Sequence, residues 1–128
     1  TGEAAALAAD AMAETMLACH RQKLPREQWV MFELARLATE VETAVALAHK
    51  AARDGGSDRE LLMPCARLHG GSAARDVAVN GMRILRARGR YDEAEIEAWK
   101  DVVRFDDLLA TANGELVEMG RVAAALEK

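Results

Sequence analysis

The chain is expected to be all-α: an up-down antiparallel bundle of four main helices. Three observations carry that expectation. Apolar positions recur at three and four residues, and no segment alternates with period two. Alanine is abundant while aromatic residues make up 4% of the chain and prolines number two, which favours helix over strand. Glycine and proline gather at a few points that divide the periodic segments, and long helices joined by short loops form up-down bundles. At 128 residues the chain reads as one domain, 1–128. A chain of this size buries roughly two-thirds of its unfolded surface.

The first helix is expected from about Glu3 to Cys19, where the Ala, Leu and Met content has high helix propensity. The segment "HRQKLP" breaks it. Pro25 suits the first turn of the following helix, where a missing N–H costs nothing. From Glu27 to Ala52 neither glycine nor proline interrupts the pattern. Leu34, Leu37, Val41, Ala44, Ala48 and Ala51 fall on one stripe, and Arg36 can pair with Glu40 one turn on. At about 1.5 Å per residue this helix is roughly 40 Å long. "DGGS", Asp54 to Ser57, ends it with a glycine available for a left-handed cap.

Ser57 and Glu60 form a capping-box pattern for the third helix. Pro64 lies too deep to be a first residue, so a kink or a late start is expected there, and Gly70-Gly71 weakens the segment again. Ala74, Val77, Gly81, Ile84 and Leu85 then line one face, with small residues that allow close helix approach. Gly89 stops that helix. Asp92 and Glu95 start the fourth, with Ile96, Trp99, Val103 and Leu109 inward, and Asn113-Gly114 ends it. A last turn or two follows.

The net charge of −4 lacks the basic excess of a nucleic-acid binder, so none is expected as a partner. No uncharged apolar run approaches the ~20 residues of a membrane span, and no basic-then-apolar signal opens the chain. A cytoplasmic location, free or peripheral to a membrane, follows as the expectation. Cys19 and Cys65 read as reduced thiols, with one disulfide between them left open. The start Thr1-Gly2 resembles a tag scar or a cut fragment.

Chemistry is hard to find in the residues. Bundle di-iron sites use Glu-x-x-His pairs, and the residues three before His20, His49 and His69 are Leu17, Ala46 and Ala66. No metal site and no catalytic residue is expected. His20 follows Cys19 but points about 100° away on a helix. The acidic runs, such as Asp92 to Glu97, read as solvated helix faces.

Two features suggest an interface instead. Arg83, Arg86 and Arg90 recur at three and four, and share a face if the helix persists past Gly89. They read either as a solvated last turn that suits the helix dipole or as a patch for an anionic membrane surface or another subunit. Trp29 and Trp99 both read as core. An exposed Trp29 beside Val30 and Phe32 would instead mark a docking face.

The order of residues adds a resemblance. From Lys23 to Arg53 the chain reads "KLPREQWVMFELARLATEVETAVALAHKAAR". Glu27-Gln28-Trp29 stand at its start, Leu34-Ala35 and Glu40-Val41 follow, and His49-Lys50-Ala51 close it. After the glycine gap comes "ELLMPCARLHGGSAARDVAVNGMRIL". This order, over about Leu24 to Leu85, resembles the C-terminal helical domain of very-long-chain-type acyl-CoA dehydrogenases. Arg36 stands where that family usually has an acid, and Glu42 where an aromatic is common.

The resemblance implies a non-catalytic domain of a larger flavoenzyme that oxidises fatty acyl-CoA at the α,β carbons. The catalytic glutamate, FAD and acyl-CoA sites would belong to preceding catalytic domains. This chain would bind no FAD and would serve packing, homodimer formation or docking to a membrane or partner. One alternative is a free-standing helical interaction module. A second is the catalytic helical domain of an ordinary acyl-CoA dehydrogenase, whose helix and glycine turn "RILRARGRY" resembles. That family's Glu-Gly-Thr loop is missing, because "TANGELVEM" puts Glu115 after Gly114.

Overall fold

Six α-helices and one 3-10 turn account for the computed structural model, which describes residues 2–54, 56 and 58–127. The helices are α1 (Glu3–Arg21), α2 (Gln28–Arg53), α3 (Arg59–Arg86), α4 (Glu93–Val103), α5 (Phe105–Ala110) and α6 (Glu115–Leu126). No strand occurs among the described residues. The expected helical bundle is therefore what forms.

Contacts between helices set their directions. Arg36 of α2 reaches Asp76 of α3 at 2.9 Å, and Glu33 reaches Arg83 at 3.5 Å, so α2 and α3 run antiparallel. A Cβ placed on Gly70 would lie 3.1 Å from the Ala5 nitrogen, and one on Gly81 would lie 3.4 Å from the Thr15 methyl. Helices α1 and α3 thus run the same way, side by side. The last arm returns down the bundle: Tyr91 donates to the Ala18 carbonyl, Trp99 reaches Thr15, and Glu118 reaches Arg67. The arrangement is up, down, up, down, with the fourth arm broken into α4, α5 and α6.

The α2 stripe is buried as its spacing predicts: Val30, Leu34, Leu37, Val41, Ala44, Ala48 and Ala51 all face the core. The α1 face is mostly alanine, with Met12, Thr15 and Cys19. It lies on the small-residue face of α3, where Gly70, Ala73, Ala74, Val77 and Gly81 are buried. Small residues on both sides bring the two backbones together. Trp99 fills the space beside Gly81, its ring 3.1 Å from where a Cβ would stand. Its indole N–H donates to Thr15 Oγ1 at 3.1 Å, and Thr15 Oγ1 donates to the Ala11 carbonyl at 2.7 Å. The one buried hydroxyl among the described residues is thereby satisfied on both counts.

Several expectations need correction. Helix α1 runs two residues past Cys19, to Arg21, and ends where Lys23 turns left-handed at φ 56°. Pro25 belongs to the 3-10 turn Leu24–Arg26, and α2 begins after it at Gln28. Helix α2 ends on an extended Asp54 whose side chain accepts from the Gly56 N–H, rather than on a left-handed glycine among the described residues. The proposed cap at Ser57 lies outside the described residues. Helix α3 does not start late: it begins at Arg59 and runs through Pro64 and Gly70-Gly71. Packing along most of its 28 residues outweighs one lost backbone bond and two weak formers.

Leu109 is not inward but 39% exposed, and Leu108 is buried in its place. Arg104 adopts a left-handed conformation, φ 59° and ψ 54°, which ends α4 at Val103 and resets the phase. The final segment is a helix of 12 residues, α6, rather than a turn or two. Gly114, at φ 80°, turns the chain into it. The start of α4 is as read: Asp92 and Glu95 form a reciprocal capping box.

Leu37 is fully buried. Leu37→Ala should lower stability by about 2–4 kcal/mol in urea denaturation; a loss below ~0.5 kcal/mol would place this position outside the core. The glycines offer a paired comparison. Gly81→Ala should destabilise by about 1 kcal/mol, because Trp99 is held by its own hydrogen bond and cannot yield. Gly120→Ala on α6, with nothing near its Cβ, should stabilise by about 0.5–1 kcal/mol. The same sign for both would contradict the packing described.

Candidate functional site

One end of the bundle gathers most of the features that could make contacts. There the α1–α2 corner meets the α3–α4 loop. Arg88 pairs with Glu27 at 2.6 Å, and Arg90 donates to the Gln22 carbonyl at 2.9 Å. The Arg83 guanidinium lies over the Trp29 ring, 5.0 Å from its centroid, and reaches Glu33 at 3.5 Å. Arg86 pairs with Glu93 at 2.5 Å. Arg88 holds the Glu27 carboxyl below its ordinary range, first through the hydrogen bond, and Arg86 does the same for Glu93.

These contacts correct two expectations. Arg83, Arg86 and Arg90 do not form one helical face, because α3 ends at Arg86 and Gly89 turns left-handed at φ 65°. Each arginine is engaged separately, with Glu33 and Trp29, with Glu93, and with Gln22. Trp29 is not core. It is 43% exposed, and Phe32 beyond it is 59% exposed, while Val30 between them is buried. Trp99 is core, as read.

The α2–α3 seam leads away from this end. Arg36 contacts Glu33 at 3.1 Å, Glu40 at 3.5 Å and Asp76 at 2.9 Å, so the expected Arg36–Glu40 pair is part of a larger cluster. Asn80 donates to Asp76 as well. Burial, together with the hydrogen bond and repulsion from Asp76, pushes the Glu40 carboxyl up to about 7; Arg36 opposes the shift. Burial also works against ionised Asp76, but hydrogen bonds from Glu40, Arg36 and Asn80 hold its carboxyl below the ordinary value. Below about pH 7 the protonated Glu40 carboxyl can donate to the Asp76 carboxylate.

A cleft of about 690 Å³ opens on the other flank, between α1, α3 and the α5–α6 segment. Most of the charged groups lining it are paired: Arg75 with Glu115 at 2.6 Å, Arg67 with Glu118 at 3.3 Å and Arg104 with Asp107 at 2.9 Å, while Glu3 and Asp10 also line it. Beyond it, α6 packs on α3 yet buries no residue fully, and Leu116, Val117, Met119 and Leu126 stand exposed.

Nucleophile and metal chemistry find little support. Cys19 and Cys65 are both free thiols. Burial pushes the Cys19 thiol up to about 11, which suppresses the reactive thiolate. His69 Nε2 is buried with no hydrogen-bond partner, but no group of three or more His, Cys, Asp or Glu among the described residues could hold a metal. No helix among them is long and apolar enough to cross a membrane.

Comparison with known proteins finds no matching family model, no similar curated protein and no similar solved structure. Nothing in those comparisons links the chain to acyl-CoA dehydrogenases.

Residue spacing singled out Trp29, Phe32 and the arginines of the α3 end. It missed Glu27, Arg88 and the Glu40–Asp76 pair, because these partners lie 36 to 61 residues apart in the chain. The only local signal was the mid-helix acid Glu40 beside Arg36.

The raised Glu40 carboxyl makes a pH prediction. The folded protein holds this proton between about pH 4.5 and 7, where the unfolded chain releases it. Stability from this group is therefore complete below about pH 4.5 and falls as pH rises toward 7. The lowered carboxyls of Asp76, Glu27 and Glu93 act in the opposite sense and only below their ordinary values, so they leave that window clear. Urea midpoints taken across it should decline for the wild type and stay flat for Glu40→Gln. Parallel profiles would show that Glu40 titrates normally.

Proposed function

We propose that the chain is a helical interaction module that docks a protein partner on the exposed start of α2. The observation that carries this reading is the placement of aromatic side chains. Two of the chain's five, Trp29 and Phe32, stand exposed within one turn, while Trp99 is buried. Exposed Trp and Phe side chains are costly to leave in water, and Trp and Arg are the residues that most often dominate binding energy. Arg83 lies against Trp29 and limits its motion, so a partner meets a partly ordered surface.

The test is a photoreactive phenylalanine analogue at position 32, introduced in cells that express the chain natively. A discrete cross-linked species should form, and Trp29→Ala should abolish it. The same analogue at Val102, exposed on α4, should give none. Identical products from both positions, or none from position 32, would overturn the reading.

A second reading rests on the residue order from Leu24 to Leu85. There the chain is the accessory helical domain of an acyl-CoA dehydrogenase, and the docked body is the preceding catalytic part of the same polypeptide, which would carry FAD. An antibody to this chain should then detect a native product several-fold heavier than 13.9 kDa. A band at 13.9 kDa would remove that reading and leave the first intact.

A further inference from the structure

We propose that the end of the bundle formed by the α1–α2 corner and the α3–α4 loop is an electrostatic docking surface for an acidic protein segment, with Arg21, Lys23 and Arg26 as its free cations. The inference rests on the docking reading above and adds the chemistry of the partner.

Charge is distributed unevenly along the molecule. Residues 20–33 and 83–93 hold seven Lys and Arg against four Asp and Glu, a net of +3 in a chain whose total is −4. The contacts Arg88–Glu27, Arg90–Gln22 and Arg83–Trp29 bring these two stretches together at one end. Both turns are therefore parts of one basic pole rather than separate basic patches.

The cations at this pole fall into two sets. Arg83, Arg86, Arg88 and Arg90 are held by Glu33, Glu93, Glu27 and the Gln22 carbonyl. Arg21, Lys23 and Arg26 are exposed at the α1–α2 corner, and their side chains form no ion pair or hydrogen bond among the described residues. Lys23 even adopts a left-handed backbone at this corner. The fold needs none of these three charges for its own contacts, so their charge is available to a partner.

The pattern favours a polypeptide over other polyanions. Glu27, Glu33 and Glu93 are fixed among the arginines, which makes the pole a mosaic of both signs around Trp29 and Phe32. A nucleic-acid backbone or a sheet of anionic headgroups presents unbroken negative charge and would meet those three carboxylates directly, and like charges in an interface cost several kcal/mol. A protein segment can set its carboxylates opposite Arg21, Lys23 and Arg26 and lay an apolar side chain against the aromatic pair. Charged surroundings then give orientation, and the aromatic pair gives burial.

A random copolymer of glutamate and tyrosine is the probe, followed by tryptophan fluorescence at low salt. Trp29 is the exposed reporter, since Trp99 is buried. Saturable binding that weakens with salt is expected. Combined Arg21→Glu, Lys23→Glu and Arg26→Glu should weaken it at least about ten-fold, with helix content and unfolding midpoint unchanged. If that variant unfolds, the milder combination Arg21→Gln, Lys23→Gln and Arg26→Gln should still weaken binding. No saturable binding, or binding that ignores the loss of all three charges, overturns the proposal. Tighter binding to phosphatidylserine vesicles or to a double-stranded oligonucleotide overturns it too. Loss of copolymer binding in Phe32→Ala, which keeps the Trp29 reporter, but not in the charge variants would sink the cationic inference and leave the docking face standing.

Discussion

The close contact between α1 and α3 is the constraint on which the rest of the structure depends. The α1 face built on Ala5, Ala8 and Ala11 packs on the α3 face built on Gly70, Ala73, Ala74 and Gly81, and these small residues let the backbones approach. Close approach leaves little volume between these two faces, so beyond Met12 of α1 and Ile84 and Leu85 near the end of α3 the large core residues are supplied by the other helices. Leu37 comes from α2, Ile96 and Trp99 from α4, and Leu108 from α5. Trp99 is the clearest case. Its ring occupies the space that Gly81 leaves open, and its N–H ties α4 to α1 through Thr15. A larger residue at position 81 would push α4 away from both helices.

With the core closed, polar side chains hold the periphery in pairs. Arg36 gathers three acids across the α2–α3 seam, and the α3 end is fastened to the α1–α2 corner by Arg88 and Arg90. Exposed pairs of this kind add little stability singly. Their effect is geometric: they fix which surface groups stand near Trp29 and Phe32, and they leave the three corner cations outside the network. The pole thereby holds both paired arginines and three cations that no ion pair engages among the described residues.

The fourth arm shows how one backbone choice redirects a helix. Without the left-handed Arg104, α4 would run on with its apolar phase unchanged. The break instead turns Leu108 inward and Leu109 outward, and the glycine turn at 114 then sends α6 along α3. Arginine has no preference for that conformation, so its neighbours in the fold select it.

The sequence by itself determined the helical class, the buried stripe of α2, the inner face of α3 and the capping box of α4. Each depends on spacing within a few turns, where 3.6-residue periodicity decides which side chains meet the core. It also flagged Trp29, Phe32 and the arginines near Gly89. Tertiary structure alone decided that Trp29 is exposed, that Arg83, Arg86 and Arg90 part company, and that α3 survives Pro64. It alone raised the Glu40 carboxyl, through Asp76 on the neighbouring helix. Apart from the Arg86–Glu93 pair, seven residues apart, those outcomes depend on partners 36 or more residues away and on packing that compensates for locally weak sequence, which no local period encodes.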